Sequence, residues 1–263
     1  NMSDKIVIDL GAFSTKINFN STKLKCRTLI GRPRQPRPNL PAYFCGDEAF
    51  QKKAVLKLSN PLDNLQDLQL FFKHIFQLLR LSTNDFDLHF SPNSFSDDQK
   101  QLIEQAATQL SPKSISWLPH PHLHENEFVL DFGFLETRLI TPSSTFNSPW
   151  GGKHFQERLE DLLQLENVSQ PSQVAQILIN KCEFQTEKKQ KEVELPDGQI
   201  LETAAIFEVC LELFEEIQNF LKKNGILKGK LVLCGQMGKL KGLKEEIGKM
   251  GMEVEVDEFW WVE

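Results

Sequence analysis

Three groups of residues in this chain are of types that do chemistry. His120, His122 and His124 stand at alternating positions, and alternate residues of an extended segment share a face. Three imidazoles so placed could ligate a metal ion. Pro121 and Leu123 interleave them and no carboxylate partner is evident, so the plainer reading is a polar connector. The cysteines, at 26, 45, 182, 210 and 234, are odd in number, widely spaced and without a CxxC pair. That excludes a zinc ribbon and a disulfide framework, and it fits free buried thiols in a reducing compartment, cytoplasm or nucleus.

The third group is repeated. Residues 6–19 read IVIDLGAFSTKINF and residues 128–141 read FVLDFGFLETRLIT. In register, Asp9 meets Asp131, Gly11 meets Gly133, Thr15 meets Thr137 and Lys16 meets Arg138. In each copy an apolar run ends in Asp, a Gly follows two residues later, and an alternating stretch carries the base. The pattern is strand, tight turn, strand, with glycine supplying the turn's backbone freedom. The copies lie 122 residues apart, too far for a solenoid and suited to two related lobes facing each other.

The elements that must position these groups alternate between strand and helix. Lys5–Leu10 and Lys16–Asn20 read as a hairpin, followed by a strand over 24–30. Four prolines in 32–41 exclude an interior strand or helix there and predict a surface loop. Helical spacing marks 64–80, 86–90 is a short strand, and Ser96 with Gln99 forms a capping box ahead of a helix through Leu102 and Leu110. Beyond the second hairpin, helices are predicted over 153–165, 172–181, 204–223 and 239–250, with strands over 230–234 and 253–256. Thr186–Glu192 is a charged connection, and Pro196-Asp197-Gly198 is a turn. The class is α/β.

Composition narrows function. The net charge is −6, which argues against a dedicated nucleic-acid binder, whose face is usually basic. No run of about 18 apolar residues is present, so no membrane span is expected, and the N-terminus lacks the pattern of a signal peptide. Twenty Phe supply ample core, which excludes disorder throughout.

These residues carry a family resemblance. The first hairpin, IDLGAFSTKINF, resembles the first phosphate loop of actin and the actin-related proteins, and LDFGFLETRLI resembles the second. GRPR at 31–34 and GDEA at 46–49 resemble the signatures that flank the family's DNase-binding loop. ELPDGQIL at 194–201, FEVCLELF at 207–214 and LVLCGQMGKLKGL at 231–243 resemble later blocks, the last being the adenosine-contacting strand, turn and helix. The blocks come in family order over nearly the whole chain. The resemblance implies a two-lobed α/β actin-like fold, with ribonuclease H-like lobes around a central cleft, reduced in size. The first lobe would span 1–120, with a short Pro-rich insertion at 32–45. The second would span 121–263, with a small helical subdomain around 150–192. It further implies that Asp9, Gly11, Lys16, Asp131, Gly133 and Gly235 form a nucleotide site. Backbone N–H groups at the Gly turns and the Lys16 charge would meet phosphates, and Asp9 and Asp131 would hold a hydrated metal ion.

Departures from the family pattern shape the functional expectation. Ala12 and Phe13 stand where small residues and a hydroxyl are usual. The second loop reads Asp131-Phe132-Gly133-Phe134-Leu135, losing a carboxylate, a hydroxyl and a glycine; facing inward, the apolar side chains would fill the pocket. Gln236 replaces a glycine. The linker 117–124 lacks the family's water-positioning Gln; His120 is a candidate substitute. ATP hydrolysis is therefore expected to be absent and the cofactor to be none, or weakly bound Mg-ATP or Mg-ADP. The Pro-rich stretch 35–42 and the short chain between Phe214 and Leu231 argue against self-polymerisation. The family's two terminal helices have no counterpart, so apolar surface around Leu102 and Phe72 is expected to be exposed, and Phe259, Trp260 and Trp261 are candidate interface residues. The expected role is a non-catalytic structural subunit, bridging or end-capping. Its partners would be other protein subunits, actin or actin-related proteins among them, with neither membrane nor sequence-specific nucleic acid. Its place would be cytoplasmic, cytoskeletal or axonemal, with the nucleus open. The alternative is a small actin-like ATP-binding protein or ATPase whose lobes close on nucleotide.

Overall fold

The structure is a computed structural model that describes residues 4–20, 22–80, 86–91, 95–119, 123–184, 186–187, 192–194, 198 and 200–257. The chain divides into two compact units, the first within residues 1–121 and the second within 122–258.

The first unit contains, in chain order, β1 (Asp4–Leu10), β2 (Ser14–Phe19), β3 (Thr22–Arg27), β4 (Ile30–Pro33), β5 (Phe44–Cys45), α1 (Gly46–Gln51), β6 (Leu56–Ser59), α2 (Leu65–Leu79), β7 (Phe86–Phe90), α3 (Asp97–Thr108) and β8 (Ser114–Trp117). Its main sheet has the order β3-β2-β1-β7-β8, and a small sheet has the order β5-β4-β6. The alternation in β1 sets the faces. Ile6, Ile8 and Leu10 enter the core, while Val7 and Asp9 take the opposite side. Against the core face lie Leu68, Phe71, Phe72 and Ile75 of α2 and Ile103, Ala106 and Ala107 of α3. The Asn64 side chain caps α2 by accepting from Asp67 N, and Arg80, at φ 52°, ends it. The capping box of Ser96 and Gln99 is present at α3.

The second unit contains β9 (Glu127–Phe132), β10 (Thr137–Ile140), β11 (Thr145–Ser148), α4 (Gly152–Leu165), α5 (Pro171–Lys181), β12 (Glu192–Glu194), β13 (Ile200–Glu202), α6 (Ala204–Lys223), β14 (Gly229–Cys234), α7 (Leu243–Gly248) and β15 (Met252–Val256). Its main sheet has the order β11-β10-β9-β14-β15. Strand for strand this is the order of the first unit, with the hairpins antiparallel and the last two strands parallel in both. The repeat seen in fourteen-residue segments therefore extends to whole sheets. Phe128, Leu130 and Phe132 of β9 pack on α4, α5 and α6 through Phe155, Leu159, Leu178, Val209 and Leu213.

Several expectations change. The strand expected over 24–30 is two strands in different sheets, β3 and β4. β4 runs into the proline segment and is the central strand of its sheet; Pro33 is tolerated because it is the last paired residue. The helix expected over 239–250 begins only at Leu243, since Gly242 stands at φ 89°, outside helical space. The apolar faces expected to be exposed are covered: Phe72 is 0% exposed, Leu102 is half-buried, and the exposed large apolar residue on α2 is Leu78. Sheet and helices of the same unit supply that cover. The candidate interface residues Phe259, Trp260 and Trp261, and the turn residues Pro196 and Asp197, lie outside the described residues.

Candidate functional site

In the first unit, antiparallel pairing places Asp9 opposite Lys16. Lys16 Nζ donates to Asp9 Oδ2 at 3.3 Å, and Ser91 Oγ donates to Asp9 Oδ1 at 2.9 Å. Both side chains are more than nine-tenths buried. The turn between β1 and β2 is held from inside the unit. Thr28 Oγ1 donates to Gly11 O at 2.6 Å and Asn60 Nδ2 donates to Ala12 O at 2.9 Å. Because a trans peptide sets N–H opposite C=O, these contacts turn the Ala12 and Phe13 N–H groups the other way. A β-carbon on Gly11 would lie 2.7 Å from Ser14 O, so the turn needs glycine for close approach. The Phe13 ring lies 5.0 Å from the Arg27 guanidinium.

The second unit repeats this construction with its own groups. Asp131 faces Arg138 across β9 and β10, and Arg138 Nη2 donates to Asp131 Oδ2, both side chains again more than nine-tenths buried. Here the turn is held by the start of α4. Gly152 N donates to Gly133 O at 3.0 Å, and Lys153 N donates to Phe134 O at 2.7 Å. The Phe134 and Leu135 N–H groups are thereby directed away from α4. Gly235, at φ +81°, closes the turn after β14; a β-carbon there would lie 2.5 Å from Phe132 O and 2.6 Å from Asp131 Oδ1.

Each unit thus presents a glycine turn whose successive carbonyls are held from within the unit, beside a buried carboxylate and a buried base. Asp9, Gly11 and Lys16 come together in the first unit, and Asp131, Gly133 and Gly235 in the second. A hydrated divalent cation at Asp9 or Asp131 would share carboxylate oxygens that the chain's own groups already engage. Asp131 already faces a guanidinium, which stays charged at any relevant pH, and Asp9 has one oxygen on Lys16 and the other on Ser91.

Phe132 does not fill a phosphate pocket. It is 0% exposed and belongs to the core under α4 and α6, because strand alternation sends it to the face opposite Asp131. Phe134 is half-buried beside Gly152, and Leu135 is 50% exposed. His120 and His122 lie outside the described residues. His124 bonds Glu127 through its backbone, and no group of three metal-capable side chains occurs among the described residues. Sequence reasoning missed Ser91, Thr28 and Asn60, single polar residues with no local signature. The Gly151-Gly152 pair lets α4 approach the hairpin, since a β-carbon on Gly151 would lie 2.7 Å from Phe134 O.

Two five-stranded sheets share one strand order, each with an Asp-x-Gly hairpin at the same place, and together they make an actin-like fold. Among solved structures the chain is similar to a non-polymerising mutant of MamK bound to AMPPNP, at 18% identity, covering 97% of this chain and 94% of that one with a TM-score of 0.59. At that identity the likeness is one of fold. No protein-family model matches the chain, and no curated protein matches its sequence. Among the described residues no helix is long and apolar enough to cross a membrane.

Proposed function

We propose that this protein is a non-catalytic structural subunit of a larger protein assembly, an actin-like body used for bridging or end-capping that neither hydrolyses ATP nor polymerises by itself. The observation that carries this reading is the pairing of each hairpin carboxylate with a buried base on the neighbouring strand. A site built to hold Mg-ATP needs Asp9 and Asp131 as ligands for the cation. Here the chain's own cations sit on them, and Arg138 is the stronger of the two, because its fork matches a carboxylate and cannot deprotonate. The partners would be other protein subunits, actin or its relatives among them, in a cytoskeletal setting.

Thermal unfolding with increasing Mg-ATP tests the loss of nucleotide binding. The expected result is no shift at millimolar ligand; a dose-dependent rise would refute it. Recovery from the native source with its partners tests the subunit role. A reproducible set of stoichiometric partners is expected, and a lone nucleotide-loaded monomer would overturn it.

A second reading has its own support. The N–H groups of the glycine turns are candidate phosphate donors, and the structural neighbour, a mutant of MamK, was bound to AMPPNP. On that reading the protein holds nucleotide without firm metal ligation. ATP without magnesium would then raise the melting temperature as much as Mg-ATP does.

A further inference from the structure

We infer that the small sheet of the first unit is a docking site for an acidic, apolar peptide segment of a partner protein. A cavity of about 440 Å³ opens where β4 and β6 meet the proline-rich segment. Phe44 and Leu56 form its buried floor, and Leu40 and Val55 stand at its edge, 48% and 64% exposed. The volume suits one or two apolar side chains. Two arginines line it, Arg34 and Arg37, both exposed. Arg34 Nε donates to Leu56 O at 3.2 Å, which anchors that guanidinium beside the cavity.

Charge pairing around the cavity identifies the occupant. The neighbouring acids are already engaged: Asp47 lies 3.6 Å from Arg27, Glu48 holds Lys52, and Asp67 is gripped by both amino groups of Arg32. Arg34 and Arg37 have no acidic partner among the described residues. Two uncompensated guanidinium groups beside an apolar hole, on a chain of net charge −6, are complementary to an apolar side chain flanked by carboxylates. The adjoining segment offers the cavity no covering strand: the prolines at 36, 38 and 41 carry no N–H, and Leu40 N donates to Arg37 O at 3.0 Å in a turn. No hairpin residue lines the cavity, and the inference stands whether or not nucleotide is held.

Selection of random twelve-residue peptides on the immobilised full chain tests this. Enriched peptides should place Phe, Leu, Ile or Trp next to two or more Asp or Glu residues. Their affinity should fall by about tenfold or more on Arg34→Glu/Arg37→Glu, by at least the loss of one charge-assisted contact. Val55→Asp should weaken them independently. Both substitutions are at exposed positions, and unchanged melting would show that the fold is intact. Enrichment without that motif, or equal binding to the double variant, would overturn the inference. So would Arg34- and Arg37-dependent binding of a single-stranded oligonucleotide or of anionic phosphatidylserine vesicles in place of the peptides.

Discussion

Replacing Arg138 by Met tests the electrostatic argument most directly. The guanidinium and the Asp131 carboxylate are 9% and 8% exposed, so the substitution leaves a carboxylate buried without its cation. Breaking a buried pair in this way costs about 3–5 kcal/mol. For a unit of this length each kcal/mol is worth roughly 3–4 °C, so the melting temperature should fall by on the order of 10–20 °C. Replacing both partners, Arg138→Met with Asp131→Asn, should recover most of that loss, leaving the chain within about 1–2 kcal/mol of the parent. Differential scanning calorimetry on the four proteins of the cycle gives the coupling energy. The same measurement with added magnesium supplies a second readout: with Arg138 gone from Asp131, the cation should raise the melting temperature of Arg138→Met while leaving the parent unmoved. A single-variant loss below about 1 kcal/mol would place the pair among solvent-screened ion pairs. That result, or a parent stabilised by magnesium alone, would refute the reasoning.

Three further outcomes follow from the described contacts. Gly235→Ala should cost about 2 kcal/mol or more by equilibrium denaturation, since it combines a positive φ with a β-carbon 2.5 Å from Phe132 O. Asp67 is held below its usual 3.8, chiefly by hydrogen bonds from Arg32 and further by Ser59, against the opposing effect of burial. With the folded value depressed, its contribution is complete above about pH 3.8 and is lost as pH falls through the lower folded value. Asp67→Asn should therefore destabilise the chain by about 1.5–3 kcal/mol near neutrality and flatten the acid limb of the stability profile. Burial pushes the Cys26 and Cys45 thiols up to about 12, and all five cysteines are buried, so a thiol reagent at pH 8 should label none until the chain unfolds.

Elements with strong periodicity were legible in the sequence. β7 and α6 occupy the stretches their patterns mark, because alternate or helically spaced apolar residues meet a single core. β8 and β11 were not legible. Both are four-residue strands at sheet edges, with half-exposed residues and only a weak apolar alternation. The hairpin residues were legible as a set, because Asp9 and Asp131 recur with the same glycine and base. Their pairing was readable in principle, since a hairpin of fixed turn length puts the residue seven positions on across the ladder. What the string could not say is whether Arg138 turns to a ligand or to Asp131; that depends on burial of the sheet face. The apolar residues after Asp131 were misleading for the same reason, since strand parity sends Phe132 into the core.

The matched strand order of the two units has a consequence for how this protein can change. In both, the extra material is spliced in at one connection, after the third strand and before the helix that leads to the fourth. The first unit carries β4, β5, α1 and β6 there, and the second carries α4, α5, β12 and β13. Each unit therefore has one connection that accepts whole elements without interrupting its five-strand order, and in the second unit those elements also supply part of the core and hold the hairpin turn.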